Sequence, residues 1–343
     1  MSHSYKTLGH PVSGPTSQPD TGEVSLSVPR SPASGRKGPL AEAREDAATE
    51  AVLAQLGEIP RWVRVFDTSS QEATGRLRIK PDLLARLESL SLAEQRDGQT
   101  YFDSQDLINT QYRLGGGLLT MGLLALWPKV LTRLPAAGPV ALDVGFDARC
   151  PHPGHPGTCD FTMVLPDGRS YQIETPAGPG QPLVWVRFDL PTRWPELPSA
   201  VREIIDEMQD IRFVLLRHHV AWDEAAFVRR TGLADCQAFV RLLIERASGC
   251  GVPMRPFYGL LAAPPMARSH TWAEVEVGEI WVPIDPLLIN TLVAHNFLDR
   301  ESWPPHRSPG ATFCPLGDTY RPLLVTHRGD RVYEVTACSR LVS

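Results

Sequence analysis

The sequence predicts an α+β fold in which a helix opened by a cysteine packs on an antiparallel sheet, behind a helical and β-rich N-terminal half. Three observations predict it. Beginning at Cys236, apolar residues fall at 236, 239, 240, 243, 244 and 247, the one-faced spacing of an amphipathic helix on a core. The segments HTWAEVEV and IWVPIDP alternate with period two about Gly278-Glu279, the pattern of a hairpin closed by a two-residue turn. Between residues 139 and 190, short β-branched runs are separated by turn dipeptides, whereas the chain before them carries leucines at helical spacing.

With 343 residues the chain can hold two domains or one large core. Its 34 Lys and Arg are scattered among 39 Asp and Glu with no basic block, which argues against nucleic acid as a partner. The opening MSHSYKTLGHPVSGPTSQPD has no apolar segment behind a positive start, so no secretory signal and a cytoplasmic location are expected. Six widely spaced cysteines in a reducing compartment read as free thiols. The least polar run, residues 114–127, is 14 residues long and contains four Gly. A span needs about 20 apolar residues, so a buried helix and no membrane span are expected.

Taken in order, residues 1–40 are rich in Pro, Ser and Gly and read as a disordered arm. Residues 41–135 read as a mostly helical region. Its first helix covers residues 40–56 and stops at Ile59-Pro60. A second has Pro81 in its first turn and carries Leu83, Leu84, Leu87, Leu90 and Leu92. A third, residues 103–127, is interrupted at Gly115-Gly116-Gly117.

Residues 136–192 read as a small antiparallel β-module with strands at 140–146, 160–165, 169–175 and 182–190, the middle two joined by Pro166-Asp167-Gly168. Its first loop, CPHPGHPGTC, holds four zinc-type ligands, Cys150, His152, His155 and Cys159. Four ligands from one such loop with three prolines are hard to arrange as a tetrahedron, so the loop reads as a Pro-Gly surface loop, with zinc as the alternative.

Residues 193–343 read as a catalytic domain. A helix over 195–219 is expected from the stripe Leu197, Val201, Ile204, Ile205, Met208, Ile211, Val214 and Leu215. After Pro286 an irregular region runs to about Pro315, and two strands, 322–327 and 331–337, close the chain around Arg328-Gly329-Asp330.

The chemistry lies between Thr231 and Pro286. Asp235 is a natural N-cap and places Cys236 in the first helical turn, where the helix's positive end favours a thiolate and free N–H groups favour an oxyanion. The hairpin register sets Val277 opposite Ile280 and, continued, Trp272 opposite Asp285 and His270 opposite Leu287. His270 and Asp285 then lie on one face, roughly 7–8 Å apart along the backbone, the relation of a base to its orienting carboxylate. Singly, each has a plainer reading: a buried structural cysteine, a satisfied histidine, a turn aspartate.

Together these residues resemble the transglutaminase-like superfamily of papain-type folds. Its members have a cysteine opening a helix that ends before a Gly-[Ile/Val]-Pro-x-Arg strand, then His-[Ala/Thr]-Trp-x-Glu-Val and Trp-x-Pro-[Ile/Val/Leu]-Asp-Pro. Here these are Cys236, Gly251-Val252-Pro253-Met254-Arg255, His270-Thr271-Trp272-Ala273-Glu274-Val275 and Trp281-Val282-Pro283-Ile284-Asp285-Pro286. The chain departs from the family at Ala234-Asp235-Cys236, where many members place Gly just before, or two before, the cysteine.

The resemblance implies a papain-like core with Cys236 as nucleophile, His270 as base and Asp285 as orienter. It also implies a second oxyanion donor upstream of the cysteine, for which Trp222 is a candidate, and it puts Trp272 near the substrate. No cofactor is required by this chemistry, and no loop carries the alternating carboxylates that calcium needs. The function expected is an amide-forming acyltransferase that takes an acyl donor, possible donors including a carrier-protein thioester as in natural-product assembly, and an amine acceptor. The alternatives are a cysteine protease or amidase, and an inactive binding module with the same fold.

Overall fold

A computed structural model describes residues 39–114, 124–133, 139–148, 150, 152, 155–165, 168–176, 184–217, 224–320, 325–332 and 335–341. Two compact units divide the chain between Gly122 and Leu123. The expected arm, residues 1–40, lies almost wholly outside the described residues, as do Gly115-Gly116-Gly117 and Trp222.

The N-terminal unit begins with α1 (Pro39–Gly57), whose Leu53 and Leu56 are fully buried. Strand β1 (Phe66–Ser69) leads into α2 (Ser70–Gly75), started by a capping box between Ser69 and Glu72. Helix α3 (Pro81–Ser89) has its proline at the first turn, as the sequence indicates. Then come β2 (Ala93–Arg96) and β3 (Gln99–Asp103), joined at Asp97-Gly98 with φ of 50° and 75°, the positive pair of a type I′ turn. Asp103 closes the hairpin and starts α4 (Ser104–Leu114) by accepting from the Gln105 amide at 2.7 Å. Strand order β1-β3-β2 makes a three-stranded sheet that the leucine-based reading of a mostly helical region did not include. Leu53, Leu84, Leu87, Phe102 and Leu107 form the unit's core.

The second unit starts with α5 (Leu126–Leu131). Strands β4 (Val140–Ala148), β5 (Thr158–Val164), β6 (Ser170–Pro176) and β7 (Val184–Leu190) match the four expected segments and alternate inward and outward. They are shared between two sheets: β4 pairs with β7 in a larger sheet, while β5 pairs with β6 in a smaller one.

Helix α6 (Ser199–Glu207) is shorter than the expected 195–219. Past Met208 the chain extends, and β8 (Arg212–Phe213) pairs in parallel with β9 (Leu233–Ala234), the residues just before Cys236. Ile211 and Val214 therefore belong to extended chain rather than to the helical stripe; a short apolar run fits either period. Helix α7 (Glu224–Thr231) lies between the paired strands, and α8 (Cys236–Gly249) follows β9.

Then come β10 (Met254–Ala263), β11 (Met266–Val277) and β12 (Ile280–Ile284). The region after Pro286 is not irregular throughout: α9 (Pro286–Ala294) starts at that proline, capped by Asp285. Strands β13 (Phe313–Gly317), β14 (Val325–His327), β15 (Asp330–Arg331) and β16 (Val335–Leu341) complete the chain.

The larger sheet is antiparallel throughout, in the order β13-β10-β11-β16-β4-β7, with β12 added on β11. The smaller has the order β15-β14-β5-β6. Leu142, Val144 and Phe146 of β4 share one apolar cluster with Phe161 and Met163 of β5, so the two sheets bury a common core. Helix α8 packs on β10 and β11, which gives the predicted arrangement of a cysteine-bearing helix on an antiparallel sheet. Among the described residues, no helix is long and apolar enough to cross a membrane.

Candidate active site

Cys236 reaches its position through the segment before it. Thr231 ends α7, and Gly232 turns the chain at φ +67°, a conformation that costs glycine nothing and other residues a good deal. The Arg212 amide donates to the Gly232 carbonyl at 2.8 Å, and the Val214 amide to the Ala234 carbonyl at 2.9 Å. These bonds fix residues 232–234, and Asp235 follows in extended geometry as the N-cap of α8.

The Asp235 carboxylate accepts from the Ala238 amide at 2.8 Å, so it is engaged with the helix start. Cys236 is half-buried and not in a disulfide. The glycine that many family members place just before, or two before, the nucleophile is absent, and the nearest one, Gly232, lies four residues upstream of Cys236. Ala234, where some members have it, is fully buried in β9.

His270 projects from the middle of β11. The register about Gly278-Glu279 is the one the alternation predicts, running from Val277 opposite Ile280 to Ala273 opposite Ile284. Pairing stops there, because Asp285 leaves the strand at φ −147°, ψ 80° and begins α9. The carboxylate divides its work: Oδ1 accepts from the Leu288 amide at 2.9 Å, and Oδ2 lies 2.5 Å from His270 Nε2. The His270 and Asp285 side chains are 12% and 3% exposed, so the pair is shielded from water.

Burial by itself would push the His270 imidazole down. The negative charge of Cys236 and the hydrogen bond and charge of Asp285 outweigh it, and the pKa is raised to about 10. Cys236 thus acts on the His270 ring together with Asp285. Nε2 is taken by Asp285, which leaves Nδ1 as the ring nitrogen available to Cys236. Of the three residues singled out in the sequence, the fold bonds Asp285 to the His270 ring and places Cys236 where its charge acts on that ring.

The floor beneath the imidazole is aromatic. Trp272 stacks on Phe313 with centroids 4.5 Å apart and on Phe257 at 5.5 Å, and the Phe313 ring lies 5.6 Å from His270. Trp272 is 1% exposed, so it packs below the site and does not present a face to substrate. Gly259 stands opposite His270 on β10, where a Cβ would run into the Cys314 carbonyl and the Trp272 ring. The glycine thus leaves room for the floor.

Two further residues of the family-like pattern meet beside the hairpin. Glu274 is buried, and Arg255 donates to its Oε2 through Nε at 3.0 Å and Nη2 at 2.7 Å. The guanidinium also lies 4.1 Å over the Trp281 ring. Burial pushes the Glu274 carboxyl up, and Arg255 pulls it part of the way back. Sequence reading quoted all three without a role. The signal was the register itself, which sets Arg255 opposite Glu274.

The Cys and His loop is arranged differently from either sequence reading. Cys150, His155 and Cys159 converge, but the fourth member of the group is His327, at the end of β14. His152 is exposed and faces Asp330 at 3.5 Å.

Residues 195–286 match the family model of the transglutaminase-like superfamily. The matched stretch runs from just before α6 to the first residue of α9 and so contains Cys236, His270 and Asp285. No curated protein matches the chain.

Proposed function

We propose, on the premise that residues 195–286 carry a transglutaminase-like core, that the protein is a cysteine-dependent acyltransferase. The observation that carries the reading is the bond from His270 Nε2 to Asp285 Oδ2 at 2.5 Å, on an imidazole whose pKa is raised by the cysteine that opens α8.

The reaction begins as the Cys236 thiol passes its proton to His270. The thiolate attacks the acyl carbonyl, a C–S bond forms, and the leaving group departs with the proton from His270 Nδ1. Asp285 keeps the ring turned toward the sulfur and supports its positive charge. Amides of the first turn of α8 face the developing oxyanion. An amine then attacks the thioester, surrenders its proton to His270 and breaks the C–S bond, leaving an amide.

The donor is a thioester, such as one on a carrier protein, or an amide, and the acceptor is an amine. Water in place of the amine gives the competing protease or amidase reading. A fold kept only for binding would have no need of an imidazole held between a thiol and a carboxylate.

Intact-mass analysis with an acyl-thioester probe tests the proposal. A mass gain equal to the acyl group is expected on the wild type and not on Cys236→Ala, with release accelerated by added amine. Steady release of free acid that amine does not change would transfer the reading to hydrolysis. Absence of any adduct, together with ordinary thiol reactivity, would overturn both.

A further inference from the structure

We infer that Cys150, His155, Cys159 and His327 are a structural zinc site. Their four ligating atoms all lie within 4.8 Å of one another. Around tetrahedral zinc, with bonds of about 2.0–2.3 Å, ligand atoms stand roughly 3.3–3.8 Å apart. Cys159 Sγ is 3.4 Å from His155 Nε2, and Cys150 Sγ is 3.9 Å from His327 Nε2. Two edges of the tetrahedron are therefore at or near metal-bound length, and the others close by about 1.5 Å or less.

The chemistry and the topology agree with this. Two thiols and two imidazoles are a donor set that selects zinc over hard cations. They come from two distant places, since Cys150 and His327 are 177 residues apart, and the crowding of four ligands into one loop does not arise. His155 Nδ1 donates to the Pro156 carbonyl at 3.0 Å, which orients Nε2 toward the group as a supporting shell does for a metal ligand.

His327 is 1% exposed against the Phe161 ring, and its Nδ1 has no partner among the described residues. A metal held at Nε2 would engage this buried imidazole together with the buried Cys159 thiol. The turn after His327 is braced separately: Arg328 donates its amide to the Asp160 carbonyl at 2.9 Å and Nη2 to the Thr158 carbonyl at 2.6 Å.

The site has four protein ligands and no open position, which makes it structural rather than catalytic. Binding would release the two thiol protons and tie β14, only three residues long, to the start of β5.

His152, inside the same loop but turned to Asp330, supplies the control. The full-length protein, reconstituted with zinc chloride and dialysed into metal-free buffer, is expected to hold about one zinc per chain by plasma mass spectrometry. Cobalt in its place should give the visible bands of a tetrahedral thiolate centre. His152→Ala should retain both, and His327→Ala should lose at least about tenfold in zinc affinity. Should His327→Ala fail to fold, Cys150→Ser at the partly exposed ligand must weaken the cobalt bands with circular dichroism unchanged. Zinc near zero in the reconstituted wild type, equal loss in the two histidine variants, or a Cys150–Cys159 disulfide formed in place of metal binding would overturn the assignment.

Discussion

Asp285 is predicted to serve both the fold and the reaction, and two substitutions separate these contributions. Asp285→Ala removes the acceptor for the Leu288 amide, a helix cap worth about 1 kcal/mol, and also the partner of His270. Breaking a buried pair costs about 3–5 kcal/mol, and the 3% exposure of Asp285 leaves little solvent relief.

The alanine variant should therefore lose about 4–6 kcal/mol, comparable to the whole stability of a marginal domain. Asp285→Asn keeps an oxygen for the Leu288 amide and fills the same volume. It should lose about 1.5–3 kcal/mol, the range for a charged hydrogen bond. An amide cannot hold the imidazolium as a carboxylate does, so acylation of Cys236 in the asparagine variant should slow by about 10²–10⁴-fold. Denaturant titrations of both variants, with stopped acylation followed by intact mass, supply the numbers. Equal stability of the two variants, or acylation by Asp285→Asn within about threefold of wild type, would refute the dual assignment.

Two other perturbations test the electrostatics. A histidine whose pKa is raised on folding adds stability that is complete below its unfolded value near 6.5 and fades as pH rises through about 10. Activity should accordingly fall on the alkaline side as His270 loses its proton. Cys236→Ala, which removes the foremost cause of the elevation, should bring the imidazole pKa down in an NMR titration; an unchanged value would disprove the coupling. Arg255→Met leaves Glu274 buried without its guanidinium and should cost about 1–3 kcal/mol. Because the carboxyl is then protonated more readily, the loss should be greater at pH 8 than at pH 5, and an equal loss at both would count against the pair.

Local patterns were readable in the sequence, and distant pairings were not. The β11–β12 hairpin was legible because period two and a two-residue turn fix a register without reference to the rest of the chain. The Asp97-Gly98 hairpin carried an equally local signal, obscured by the leucines on either side. The Asp285-Pro286 pair can be read as a turn or as a helix start; the fold selects the helix, because the carboxylate caps it. The partnership of the residue 150–159 loop with His327 arises only when β14 pairs with β5, and no local periodicity encodes that. Trp272, placed near the substrate by resemblance, alternates with neighbours whose facing could be read, but its depth depends on Phe313 from another strand.

The short parallel pair before Cys236 has a consequence for motion. Helices ordinarily open from their ends, and a nucleophile in a first turn would spend part of its time on a loosened coil. Here Gly232 and Ala234 are bonded to the Arg212 and Val214 amides, and the Asp235 side chain holds the Ala238 amide. Opening the start of α8 would thus require breaking backbone bonds to a segment some twenty residues upstream in addition to those of the helix. The sulfur is held by an end that is closed to fraying, so its distance to the imidazole is set by the sheet and not by the helix alone.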